Sequence, residues 1–272
     1  DKEKIAGFVG DLTNMEASYI FKEFFERTMD TKNYESRSSD MFIDSSKREN
    51  YLFNSTINGI EESDFILLIG ANPRFEATMV NARIRKAYLN NRVKIISLND
   101  VGDLTYPYKF LDGKTQTIKD IAENQNEISK KVIDSKKPMI ILGESFLKSK
   151  SADYLFYSLK NFLLKNNKFS NEWNPLNLLS IDAATVGNFD LDIINDKENL
   201  IKDLNENKFE LVYLLGQDNL NFNKKNEFVI YQGSHGDKGA EIADIILPGA
   251  AYTEQSAHFT NLEGKIQKAY KA

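Results

Sequence analysis

The chain has 272 residues, enough for one large domain or two modest ones at roughly 100 to 200 residues each, and its 41% hydrophobic and 28% charged content is ordinary globular usage. With 35 basic against 40 acidic residues the net charge is -5, so no global positive field exists and nucleic acid is not expected as a partner. The chain has no Cys, which removes disulfides, thiolate nucleophiles, Cys-ligated zinc and Cys-ligated iron-sulfur clusters from within it.

The chain opens at Asp1 and enters an apolar run at Ile5, which reads as a segment of a longer polypeptide. That run, Ile5 to Val9, is short enough to be a buried strand. A helix follows from Thr13 to about Met29, because Thr13 and Glu16 have the spacing of a capping box. Residues Lys32 to Asn50 are polar and weakly periodic, as a surface connection would be. Phe65 to Ile69 is the next strand and the longest apolar run, far below the roughly 20 residues of a membrane span. With no basic-then-apolar leader either, a cytoplasmic protein without direct membrane insertion is expected.

Arg74 to Leu89 places Ala77, Val80, Ile84 and Ala87 on one helical face. Val93 to Leu98 reads as a strand, Ile118 to Val132 as a Lys-rich helix, and Met139 to Leu142, Leu211 to Leu215 and Phe228 to Tyr231 as further strands. Lys165 to Trp173 is another polar connection. Alternating helices and nearly continuous apolar strands imply parallel sheets covered on both faces, a doubly wound α/β architecture. An internal echo, Phe65 to Asn72 against Leu211 to Asp218, suggests two similar modules. The break is expected at Lys136-Lys137-Pro138, giving modules 1–137 and 138–272, the second with a C-terminal segment.

Two loops are candidates for chemistry. Gly70-Ala71-Asn72-Pro73 follows a strand and precedes a helix, where open α/β sheets bind ligands, yet by itself it reads first as a tight turn with Pro73 starting the helix. Gly233-Ser234-His235-Gly236-Asp237-Lys238-Gly239 also follows a strand, but its glycine spacing matches neither the dinucleotide fingerprint nor the phosphate loop. A plain loop and a weak nucleotide site are the alternatives there. His235 and His258 match no zinc spacing and read as loop residues; Ser145 and Ser234 lie outside any Gly-x-Ser-x-Gly. No carboxylate pair stands out as an acid/base couple.

The stretch from Gly233 through Asp244-Ile245-Ile246-Leu247-Pro248 to Glu254 closely resembles the large peripheral-arm subunit of NADH:quinone oxidoreductase, respiratory complex I. Gly10-Asp11-Leu12, Gly70 to Ala77 with Asn81 to Arg85, and Asn261 to Gln267 agree in order, so the resemblance spans nearly the whole chain. The C-terminal region of that large subunit is similar to the molybdopterin oxidoreductases, which implies two Rossmann-like doubly wound α/β modules with mainly parallel sheets. It also implies an inherited, vestigial cofactor pocket at Gly70, Asn72, Pro73, Asp244, Pro248, Glu254, Asn261 and Gly264, with no catalytic residue and no metal. The family's iron-sulfur clusters are ligated by cysteines in an N-terminal part, so this Cys-free segment is expected to hold no cofactor. By the same resemblance its partners are that N-terminal iron-sulfur part and other peripheral-arm subunits, at the cytoplasmic face of the inner membrane. Two functions follow as alternatives: a non-catalytic scaffold segment in an assembly that passes electrons from NADH to quinone, or a molybdopterin-binding fragment that keeps its cofactor.

Overall fold

The computed structural model describes residues 1–195 and 199–272. In chain order the strands are β1 (Ile5–Val9), β2 (Tyr34–Glu35), β3 (Phe65–Ile69), β4 (Lys94–Ser97), β5 (Lys109–Phe110), β6 (Pro138–Leu142), β7 (Leu176–Leu178), β8 (Leu211–Leu215), β9 (Phe228–Gly233), β10 (Ile245–Pro248), β11 (Ala257–Thr260) and β12 (Ile266–Ala269). The α-helices are α1 (Met15–Arg27), α2 (Pro73–Glu76), α3 (Thr78–Asn91), α4 (Thr115–Ala122), α5 (Glu127–Asp134), α6 (Glu144–Leu147), α7 (Ala152–Lys165), α8 (Thr185–Asp190), α9 (Leu200–Asn205) and α10 (Lys238–Ile242). Among the described residues no helix is long and apolar enough to cross a membrane.

Two compact units result, one made of Asp1–Asp40 with Asp182–Ala272 and the other of Met41–Ile181. The first holds a parallel five-stranded sheet in the order β10-β9-β8-β1-β2, and the second a parallel five-stranded sheet in the order β5-β4-β3-β6-β7. The doubly wound, mainly parallel α/β architecture read from the apolar runs is therefore present in both. The expected division at residues 137/138 needs correction. It would separate β6 from β3, and those strands are parallel neighbours paired from Phe65↔Pro138 to Ile69↔Leu142. The second unit is instead an insertion between two stretches that build the first.

The echo between Phe65–Asn72 and Leu211–Asp218 corresponds to β3 and β8 with the turns that follow them. Outward from β8 the order β9, β10 on one side and β1, β2 on the other mirrors β4, β5 and β6, β7 around β3. Each central strand ends on a left-handed glycine, Gly70 at φ 60° and Gly216 at φ 59°. In each, the strand beside it ends on a second glycine whose amide crosses over: Gly143 N donates to Ile69 O at 3.0 Å, and Gly10 N to Leu215 O at 2.9 Å. A Cβ on Gly143 would lie 2.3 Å from Gly70 O, and one on Gly10 would lie 1.7 Å from Gly216 O. Both pairs are glycine because the backbones touch.

Sheet pleating explains the cores. In the first unit Ala6 and Phe8 of β1 join Val212, Leu214, Val229 and Tyr231 on one face, under Leu200 and Leu204 of α9. Val9 faces the other way, to Phe21 and Phe25 of α1 and to Tyr34. Gly7 lies beneath those rings, since a Cβ there would come within 2.4 Å of Phe25 Cζ. In the second unit every residue of β3 and of β6 is buried, as continuous apolar runs in a doubly covered sheet demand.

Several helix readings shift in the structure. Asn14, not Thr13, caps α1, its Oδ1 accepting Ala17 N at 2.8 Å, while Thr13 Oγ1 donates to Leu215 O at 3.2 Å. The helix expected over residues 74–89 breaks at Ala77 into α2 and α3. That expected over 118–132 is two helices, because Asn124 adopts φ 60° and Asn126 caps α5 through Ile128 N and Ser129 N. His258 lies on β11 rather than in a loop.

Candidate functional site

In the first unit the chain leaves β8 toward β9 and leaves β1 toward β2 on the opposite side, so the carboxyl ends of β1 and β8 form a topological switch point, the place where open α/β sheets bind ligands. A cavity of about 500 Å³ lies there, lined from β1 by Asp11 to Asn14, from β8 by Leu215, Gly216, Asp218 and Asn219, and from β9 by Tyr231 to His235 and Asp237. Gly249, Tyr252 and Gln255 close its rim.

The polar groups around this cavity bind one another. Asp218 Oδ1 accepts Gly239 N at 2.9 Å, and its Oδ2 accepts the Tyr231 hydroxyl at 2.9 Å. Asn219 Nδ2 donates to Asp11 Oδ2, Asn14 Nδ2 to Gln255 Oε1 at 2.7 Å, and Gln217 Nε2 to Val9 O at 3.1 Å. Ser234 Oγ and His235 Nδ1 lie 2.8 Å apart. Burial, followed by the bond to Asp218, pushes the Tyr231 phenol above its ordinary range. Charge in the cavity is one-sided: Asp11, Asp182, Asp218 and Asp237 line it, and no Lys or Arg does so among the described residues.

None of the eight sequence-predicted positions lines this cavity. Gly70, Asn72 and Pro73 belong to the second unit, where the switch-point turn is packed shut; a Cβ on Gly70 would lie 2.3 Å from Phe146 N in α6. Pro73 opens α2 as expected. Asn72 forms no cap; its Nδ2 donates to Val101 O at 3.3 Å, its amide donates to Glu76 Oε2 at 2.9 Å, and its Oδ1 is buried without a partner. Burial raises the Glu76 carboxyl above its usual range.

The other five lie in the first unit and serve its strands and turns. Asp244 and Val229 exchange two bonds, Asp244 N to Val229 O and Val229 N to Asp244 Oδ2, both 2.8 Å. The Lys224 ammonium at 2.6 Å, then the Val229 amide, hold the Asp244 carboxyl below its ordinary range. Pro248 ends β10, and Glu254 Oε2 accepts Ala251 N at 2.9 Å. Asn261 Oδ1 accepts the amides of Glu263 and Lys265, and Gly264, at φ 81°, completes the turn of the β11–β12 hairpin. Their neighbours Gly249, Tyr252 and Gln255 reach the cavity instead.

The residues that line it, Asp11, Asp218 and Asp237 foremost, did not stand out by spacing. The available signal was the pair of Gly-containing strand ends, Gly10-Asp11 and Gly216-Gln217-Asp218, which only the topology brings together. Among the described residues no three His, Asp or Glu side chains converge to hold a metal ion.

Two parallel doubly wound units with a crevice at a switch point define a class, and residues 1–272 match the molybdopterin oxidoreductase family model from end to end; the chain belongs to that family. Within it, the similarity narrows to subunits of NADH-ubiquinone and NADH-quinone oxidoreductases. The chain is 36% identical over 287 residues to the NADH-ubiquinone oxidoreductase 75 kDa subunit of Reclinomonas americana, covering 100% of this chain and 41% of that protein. It is 36% identical over 271 residues to an NADH-quinone oxidoreductase subunit of Rickettsia bellii, covering 99% and 39%. To the mitochondrial NADH-ubiquinone oxidoreductase 78 kDa subunit of Candida albicans it is 42% identical over 224 residues, covering 81% and 30%. The chain thus spans 41% or less of these relatives' lengths.

The cavity does not fit the phosphate-bearing pterin nucleotide that the family name implies. Four carboxylates would face its phosphates, no described Lys or Arg would offset them, and the Gly239 amide that could receive one is already held by Asp218. With no Cys in the chain, no thiolate is available to a metal.

Proposed function

We propose that this chain is a non-catalytic scaffold segment of the large peripheral-arm subunit of a proton-pumping NADH:quinone oxidoreductase, with a switch-point cleft that has become structural. The observation that carries the reading is the self-satisfied acidic cleft, in which Asp218 occupies the Gly239 amide and Tyr231 hydroxyl that a ligand would need. The relatives' names support membership of such an assembly, and a chain without Cys supports electron carriage outside this segment. On this reading the segment holds no cofactor. Iron-sulfur clusters belong to an N-terminal part of the full-length protein, which this segment supports together with other peripheral-arm subunits on the cytoplasmic face of the inner membrane. Gly70, Asn72 and Pro73 in the second unit, and Asp244, Pro248, Glu254, Asn261 and Gly264 in the first, then have structural roles within their own units rather than roles as cofactor ligands.

The family match over the whole chain favours one rival, a fragment that still binds molybdopterin. A single experiment separates them: metal analysis and pterin fluorescence on the 272-residue chain purified from a host that makes molybdopterin. The scaffold reading expects neither pterin nor stoichiometric molybdenum, tungsten or iron. Stoichiometric pterin with metal, or NADH oxidation by the isolated chain, overturns it.

A further inference from the structure

The two faces of the first unit's sheet are unequally covered. Strand pairing sets Leu211 beside Phe228, Tyr213 beside Ile230 and Ile245, and Leu215 beside Gln232 and Leu247, all on the face that α1 packs against. Helix α1 covers that face as far as β8, where the ring centroids of Phe21 and Phe24 lie 5.6 and 6.4 Å from that of Tyr213. Beyond β8 the face is open. Phe228, Ile245 and Leu247 are 44%, 44% and 40% exposed, while Val229 and Tyr231 on the opposite face of β9 are 0% and 1% exposed. A parallel sheet in a doubly wound fold is ordinarily covered on both faces.

The second unit shows what lies over the corresponding face. Right-handed crossovers put connections that run one way along a parallel sheet on one face, and those that run the other way on the opposite face. From β5 to β6 and from β6 to β7 the chain runs the same way, so α4, α5 and α7 share a face, and α4 packs against α7. There Ile118 and Ile121 of α4 and Ile128 and Val132 of α5 are buried, and the consecutive residues Ile95, Ile96 and Ser97 of β4 are buried on both sides of the sheet. Among the described residues of the first unit only the connection from β1 to β2, which carries α1, runs that way. The counterpart of the β5-to-β6 crossover would join β10 to β1, and the chain passes from β10 to the β11–β12 hairpin instead.

We propose that the open face over β9 and β10 seats an amphipathic helix of the same polypeptide, supplied immediately N-terminal to β1 in the full-length protein, with its apolar side on Phe228, Ile230, Ile245 and Leu247. A helical occupant follows from the second unit, where helices cover the corresponding face. Its source follows from the topology, because β1 is the counterpart of β6 and the covering pair directly precedes β6. The relatives carry ample polypeptide for it, since this chain spans 41% or less of their lengths. A two-fold contact between copies would set open sheet against open sheet, with no helix over either. The inference rests on strand order and burial, so it holds whether the cleft is vestigial or loaded, and its failure would leave the scaffold reading untouched.

The chain has no Cys, so one introduced thiol is unique. Ile245→Cys places it on the open face and Ile246→Cys on the opposite face of the same strand; both positions are exposed, so the fold should tolerate them. The test compares the 272-residue chain with the same chain extended upstream by about 30 residues of the full-length protein, enough for two short helices and their connections. A thiol under a packed helix reacts with a maleimide only on opening, so the extension should slow labelling of Ile245→Cys at least about tenfold and leave Ile246→Cys within about twofold. It should also add helix to the far-ultraviolet dichroism and raise the urea midpoint of the Cys-free chain, two readouts that need no variant. A Gly-Ser extension of equal length should do none of this. The proposal is overturned if Ile245→Cys labels alike in both chains, if the Gly-Ser extension protects it as well as the native one, or if the native extension adds neither helix nor stability. Protection of Ile245→Cys in the unextended chain that grows with protein concentration would assign the face to a second copy, and would overturn it too.

Discussion

The carboxylate of Asp218 holds the amide of Gly239 at 2.9 Å across the carboxyl edge of the first unit's sheet, and its other oxygen takes the Tyr231 hydroxyl. Asn at position 218 keeps the shape but turns one acceptor into a donor. Asp218→Asn should therefore cost about 1–3 kcal/mol, the range for leaving a partly buried group unsatisfied. It should also bring the Tyr231 phenol down toward the ordinary range, since the Asp218 bond and charge are among the causes that hold it up. A urea midpoint and a spectrophotometric tyrosine titration measure the two effects; an unchanged midpoint would remove the cross-tied picture of the cleft.

Alkaline pH should weaken the fold. Burial is the leading cause that raises the phenols of Tyr34, Tyr106 and Tyr231, so the folded state favours their neutral form. For a raised group the contribution is fully present below the unfolded pKa, about 10 for Tyr, and is lost as pH rises toward the folded value. Denaturation midpoints should hold up to about pH 9.5 and fall beyond it. Tyr106→Phe should flatten part of that fall while costing about 1 kcal/mol at neutral pH, because the Tyr106 hydroxyl donates to Asn81 Oδ1 at 2.8 Å.

Much of the sheet architecture was legible because parallel strands covered on both faces leave uninterrupted apolar runs. Ile5–Val9, Phe65–Ile69 and Leu211–Leu215 are strands β1, β3 and β8 with those ends. β2, β5 and β7 carry two or three residues each, too few for a period to register. The unit boundaries at residues 40/41 and 181/182 carry no sequence signature, whereas the Lys136-Lys137-Pro138 break looked like one and is only a helix giving way to β6. The cleft was hidden for another reason. Asp11 and Asp218 are 207 positions apart in sequence and meet through the β1–β8 pairing.

Glycines in tight places should divide into two grades. Gly102 has φ 67° with open space around its Cβ position, so Gly102→Ala should cost only the left-handed backbone, about 1–2 kcal/mol. Gly70 has the same backbone class and Phe146 N at 2.3 Å from the added methyl, so Gly70→Ala should cost more than about 3 kcal/mol or abolish folding. Gly143→Ala has no left-handed strain but strikes Gly70 O, and should resemble Gly70→Ala rather than Gly102→Ala. Equal midpoints for the Gly70 and Gly102 variants would show that the turn has room to open.

Acid should loosen the C-terminal hairpin. His258 donates its amide to Glu16 Oε2 at 3.0 Å, and its Nδ1 lies at 2.5 Å from Oε1, joining β11 to α1. Burial pushes the Glu16 carboxyl up, and the bonds from the His258 ring and amide outweigh it, so the net direction is down. A depressed carboxyl contributes stability above its unfolded value, about 4.3 for Glu, that is lost as pH falls through the folded value. Amide exchange in Ala257–Thr260 should accelerate below about pH 4, and Glu16→Gln should remove that dependence at a cost under about 1 kcal/mol, because the pair is half exposed.

The inserted unit should fold by itself. Met41–Ile181 contains all five strands of its sheet, and β3 and β6 are covered within it. Its single Trp, Trp173, is buried and donates Nε1 to Pro138 O at 2.8 Å, so indole fluorescence reports its packing directly. Residues 41–181 expressed alone should show native far-ultraviolet dichroism, a blue-shifted Trp173 emission and a cooperative urea transition. Trp173→Phe should lower that transition by about 1–3 kcal/mol by orphaning the Pro138 carbonyl. The complementary stretches lack this independence, because β1 and β2 come from one and β8 to β10 from the other. A solvent-exposed Trp173 and a non-cooperative transition in the 41–181 fragment would mean that the unit borrows its stability from outside its own chain segment.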